Sequence, residues 1–156
     1  MNDEWRDTSA LVGASLSALR NSSGALRAAD AALAARPTHA SNARWFMRAF
    51  VARRAATKVD AVELFWTNLD VARDQFSACD ATLSVVFRDH HSVEPVAQLQ
   101  VELGAAGYDG LRSALNENVE PGAEAVASEL LRPTVARMRV CENRMLAAIH
   151  ALAASG

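Results

Sequence analysis

Three separate stretches of this chain repeat apolar residues at seven-residue spacing, a pattern that only helices burying one continuous face can use. Val12, Leu19, Leu26 and Leu33 form the first set, and Leu131, Met138, Met145 and Leu152 the last. Between them the pairs Val62 and Phe65, Leu69 and Ala72, Phe76 and Cys79, Leu83 and Val86 alternate spacings of three and four, and His90 and Val93 follow in the same register. Side chains so spaced stay on one side of a helix for many turns and demand a facing helix. The expected fold is all-α: an elongated bundle of four to six helices with coiled-coil-like heptad seams. Trp66 and Phe87 sit beside the middle seam and widen it, which suits three or more packed helices better than a two-stranded coil. No self-similar unit of 20 to 50 residues recurs, which argues against a solenoid.

Helix ends are marked unevenly. A first helix is expected over residues 8–35, with Pro37 ending it. Its companion positions Ser15, Ser22 and Ala29 are small enough to let another backbone approach closely, while the run Asn21, Ser22, Ser23, Gly24 weakens its middle and allows a kink. Residues 38–94 then contain neither Gly nor Pro and hold all five Phe. Within them Asp60, followed three residues later by Glu63, has the pattern of a capping box. Two readings stay open: a new helix starting at Asp60, or one helix over residues 41–91 of about 75 Å. Further on, Gly104, Gly107 and Gly110 predict a kink, a loop or a close helix contact, and Glu120, Pro121 and Gly122 a turn. Pro133 is expected to separate a short helix from a last one over residues 134–151. The chain thus reads as a single helical domain of 156 residues with breaks near 37, 59, 93, 107, 121 and 133.

Composition limits the core. Hydrophobic residues make up 51%, but 33 of them are Ala, which favours helix and removes little surface from water. The start, MNDEWRD, is acidic where a signal peptide needs a basic and then an apolar region, and no run of about 18 apolar residues could span a membrane. Cys79 and Cys141 lie in helical pattern without CxxC or His spacing and read as reduced core thiols. A cytoplasmic or nuclear location is the expectation.

Charge is segmented along the chain. Residues 31–59 carry six bases and no acid, whereas residues 60–130 carry thirteen acids against Arg73, Arg88 and Arg112. On a helix Arg44, Arg48, Arg54 and Lys58 would share a sector of about 120°, next to Trp45, Phe46 and Phe50. This basic face either pairs with the acidic segment inside the bundle or docks an anionic partner. An acidic protein surface is favoured over nucleic acid, because the net charge is −2. Leu19 and Leu26 pose a similar choice between an intramolecular seam and contact with a different chain.

Catalytic patterns are weak. His90, His91 and Glu94 are the only grouping like metal ligands, but His91 points about 100° away from the other two and two ligands leave a zinc site incomplete. GAAGYDG follows no strand and precedes no Gly-Lys-Ser/Thr, so it is no phosphate loop. Met138 and Met145 beside Cys141 read as core. No catalytic, cofactor or metal residue is expected. The function expected is non-enzymatic: a helical-bundle subunit or adaptor joining protein partners, as a homo- or hetero-oligomer, with Arg44, Trp45, Arg48, Arg54, Lys58, Leu19 and Leu26 as candidate partner contacts. Its texture is similar to that of small coiled-coil subunits of cytoskeletal, kinetochore or trafficking complexes, without a diagnostic motif. The alternative is a basic amphipathic helix, residues 36–58, binding nucleic acid or anionic membrane. A small-ligand four-helix bundle is the third reading.

Overall fold

A computed structural model describes residues 3–35 and 60–155. Among them the chain is all-helical, with no strand, in five helices: α1 (Asp3–Ala34), α2 (Ala61–Asp89), α3 (Glu94–Ala105), α4 (Tyr108–Asn116) and α5 (Glu124–Ser155). α1 runs antiparallel to α2, since Ser22 lies opposite Ala72 and Glu4 opposite His90. It is antiparallel to α5 as well, with Asp30 opposite Ser128 and Arg20 opposite Glu142. α3 and α4 together form one broken rod alongside α5 and α2, held by Glu102 to Arg144 and by Asp80 to Arg112. The result is an up-down bundle of four rods, and buried residues of all five helices join one core.

The helical spacings place the core where they predict it. In α2 every residue from Phe65 to Val86 in the expected seam is buried, while Val62, His90 and Val93 are half-buried. In α1, Val12, Leu19 and Leu26 are fully enclosed, Leu33 partly so, and the small companions Ser15, Ser22 and Ala29 are buried with them. α1 also begins earlier than expected and passes through Asn21 to Gly24 as continuous helix. Its weak run is carried by tertiary bonds. The Ser22 hydroxyl donates to the Ala72 carbonyl at 2.7 Å, Asn21 donates to Gln75 at 3.3 Å, and Arg27 bonds back to Ser23. With hydroxyls so satisfied, burying them costs little.

Of the two readings around residue 60, the structure takes the break. α2 starts at Ala61, and the Asp60 side chain accepts from the Val62 amide at 3.1 Å. Residues 41–58 lie outside the described residues. The glycine-rich stretch breaks at one point: Gly107 adopts φ 80°, a left-handed conformation that side chains resist, and there α3 gives way to α4. Gly122, at φ 98°, makes the turn before α5.

Pro133 does not end a helix. The expectation of two helices is corrected to one, α5, with Pro133 in its interior. A proline there costs about 3 kcal/mol because it removes one amide donor and crowds the preceding turn. The carbonyl that loses its donor belongs to Glu129, which is exposed, as Pro133 is, so water can take the place of the bond. Burial holds both sides of the proline in register: Ala127, Ser128 and Leu131 before it, Thr134, Met138 and Cys141 after it. The N-terminal turns are tied down further. Ser128 donates to Asp30, Arg132 lies 3.7 Å from the same carboxylate, and the Trp66 indole donates to Glu124 at 3.2 Å.

Candidate functional site

Because α5 is unbroken, a second stripe runs along it beside the buried one. Val126, Leu130, Pro133, Arg137, Val140 and Arg144 recur at spacings of four and three, so they share one flank of the helix. All six are exposed; Val126 keeps 62% of its surface in water, Leu130 50% and Val140 44%. A solvent face normally carries polar residues, whereas four of these six are apolar.

Across from the stripe, α4 and the segment that follows it complete a groove of about 200 Å³. Leu69 and Leu131 form its floor, with Ala114 and Val119 opposite Leu130 and Pro133. Its shape is held by Arg73, whose guanidinium donates to the Leu115 carbonyl at 2.7 Å and the Glu117 carbonyl at 2.9 Å. Those bonds satisfy acceptors left over at the end of α4 and fix where the chain turns toward α5. Arg137 closes the other end. Its Nη1 lies 3.2 Å from where a Cβ on Gly110 would sit, and its Cδ 3.9 Å from the equivalent point on Gly107. Gly110 is ordinary helix, so its lack of a side chain serves this seat rather than any backbone need.

A larger cleft, of about 300 Å³, opens between α2 and the α3–α4 rod, lined by Asp80, Ser84, Gln100, Tyr108, Asp109 and Arg112 among others. Its charges are spent on each other. Arg112 grips Asp80 through two bonds of 2.6 and 3.2 Å and Asp109 through one of 2.8 Å, and its guanidinium lies over the Tyr108 ring. The bond to Asp80, above all, holds the Arg112 guanidinium more firmly charged than usual. Tyr108 donates to Asp80 at 3.4 Å and stands 3.7 Å from the Cys79 sulfur. Burial pushes the Cys79 thiol up to about 11 and raises the Tyr108 hydroxyl above its ordinary range. Groups held protonated and mutually bonded fasten α4 to α2; neither is poised as a base or nucleophile.

The residues singled out from the sequence fall elsewhere. Leu19 and Leu26, expected as contacts to another chain, are wholly enclosed within this one. That expectation is corrected, because a side chain with no exposed surface has none to give a partner. Arg44, Trp45, Arg48, Arg54 and Lys58 lie outside the described residues. His90, His91 and Glu94 do not converge: His90 Nδ1 is buried 3.8 Å from Glu4, and His91 Nδ1 lies 3.1 Å from the Arg88 carbonyl. Among the described residues no three metal-ligating side chains come together, and no helix is long and apolar enough to cross a membrane. The groove is hidden in the sequence because Pro133 predicts a helix break; only when carried across it does the spacing from Val126 to Val140 show the second stripe. No family model, curated protein or solved structure matches this chain.

Proposed function

We propose that this protein acts by association, as a helical-bundle subunit or adaptor, and that the α5 flank with its groove is where a protein partner binds. The exposed apolar stripe Val126, Leu130, Pro133, Val140 carries this reading. Each of these side chains regains apolar burial only when another surface covers it. The groove is shaped to receive one apolar side chain, in the manner of interfaces that concentrate their energy on a few anchors. Catalysis plays no part in this reading; the most conspicuous polar cluster, around Arg112, supports a structural role by being internally satisfied. A reducing compartment, cytoplasm or nucleus, fits the two buried thiols, Cys79 and Cys141, which are free.

The test uses Leu130→Glu and Val126→Glu, both at exposed positions. Tagged wild-type protein, purified from its own cells, is expected to bring down a partner in fixed stoichiometry or to sediment as an oligomer. Either variant should lose that association while melting at the wild-type temperature. A wild-type protein that is monomeric and partnerless, or an association indifferent to both substitutions, defeats the reading.

A further inference from the structure

The geometry points to a specific occupant for this groove: an amphipathic helix of a partner protein that inserts an apolar side chain beside Leu130 and presents a carboxylate to Arg137. The inference rests on the association reading and names the partner's chemistry.

Three observations converge on it. The stripe from Val126 to Arg144 spans nineteen residues of α5, about 27 Å of helix, which matches a facing helix of four to five turns. Helix-in-groove recognition uses apolar anchors of the inserted helix at i, i+3, i+4 and i+7, and this face offers them apolar contacts at i, i+4 and i+7, Val126, Leu130 and Pro133, with Val140 a heptad further on. Charge decides the rest. Of the arginines bordering the stripe, Arg73 is committed to carbonyls at the end of α4 and Arg144 lies 3.6 Å from Glu102. Arg137 forms no ion pair or hydrogen bond among the described residues, although its stem is seated over Gly107 and Gly110 and its guanidinium borders the groove. A cation positioned at the edge of an apolar slot selects an anion attached to an apolar group, and Arg matches a carboxylate with two parallel bonds. The one acid lining the groove, Glu117, marks the opposite preference at the far end. The carboxylate therefore belongs on the Arg137 side of the anchor.

The probes are synthetic 18-residue helical peptides with Leu at spacings of three and four. One carries Glu beside the Leu stripe, one Gln, one Lys, and one Glu with the Leu residues changed to Ala. Binding to the full-length protein is read by fluorescence anisotropy at low salt. The Glu peptide should bind about fivefold tighter than the Gln peptide, the size of one partly desolvated ion pair. Arg137→Glu should reverse that order and bring up the Lys peptide, a rescue that a misfolded variant cannot produce. Leu130→Ala and the Ala peptide should each abolish binding. Equal affinity for Glu and Gln peptides, with Leu130 still required, overturns the carboxylate rule and leaves the association reading standing. No binding by any peptide overturns the helical occupant, while the partner test with Leu130→Glu judges association separately. Displacement of the Glu peptide by a short DNA duplex assigns the surface to phosphate and overturns the inference too.

Discussion

The two sides of this bundle are built on opposite terms. Where α1 meets α2 and α5, small enclosed residues, Ser15, Ser22, Ala25, Ala29 and Ala32, are interleaved with Val12, Leu16, Leu19 and Leu26, and the backbones come close enough for Ser22 to reach the Ala72 carbonyl. Where α3 and α4 meet the same two helices, the enclosed residues are Leu99, Leu103, Tyr108, Leu111 and Leu115, with Tyr108 stacked 5.3 Å from Phe76. Small residues draw stability from proximity and interhelical bonding, large ones from the area they remove from water. Burial alone therefore does not say which substitution hurts: the small positions under α1 should resent enlargement, and the large ones under α3 and α4 truncation.

The largest effect is expected on the large-residue side. Leu111→Ala should cost about 2 to 5 kcal/mol, by lost transfer energy and a cavity that α4 is too short to close, measured by urea unfolding. Next comes enlargement on the other side: Ala72→Leu should cost about 1 to 3 kcal/mol by forcing α1 away from α2. If Ala72→Leu were neutral, the close approach of those helices would be wrong. Truncating Ser22 to Ala at the same interface should cost only about 1 kcal/mol, the net worth of one buried hydrogen bond. A loss comparable to that of Leu111→Ala would erase the contrast.

A further effect, absent at neutral pH, appears in alkali. Burial pushes both the Cys79 and the Cys141 thiol from the ordinary 9.0 up to about 11. The folded chain therefore holds these protons more tightly than the unfolded one. Their contribution is complete below about pH 9 and is lost as pH rises toward and through 11. Melting temperatures should fall over that window, and Cys79→Ala with Cys141→Ala should flatten the fall. Tyr108, also raised, extends the decline to higher pH.

Much of the architecture could be read from residue spacing. The enclosed seam of α2 is the predicted one, as are the sevens of α5 at Leu131, Met138, Met145 and Leu152. Those positions were legible because a helix sorts its side chains by angle, and angle follows from sequence number. Asp60 as a cap and Gly107 and Gly122 as turning points were legible for local reasons too: a short acid accepts a nearby amide, and only glycine adopts such φ values cheaply.

What local propensity leaves open or gets wrong has a different cause. Asn21 to Gly24 allow a kink and Pro133 predicts a break, because local propensity opposes helix at each. Both are overruled by atoms far away in the chain: Ala72 and Gln75 for the first, Asp30 and Trp66 around the second. The candidate site depended on that overruling, since Val126, Leu130 and Val140 share a flank only on an unbroken helix.

Residue order alone specifies the class of fold, the register of the buried faces and the points where the chain must turn, all set by covalent geometry and near neighbours. Long-range packing sets whether Leu19 and Leu26 face inward, whether Pro133 ends the helix, and how Arg137 seats against Gly107 and Gly110. Those outcomes depend on which helices meet and how closely, and free energies of long-range packing are absent from any short window of sequence.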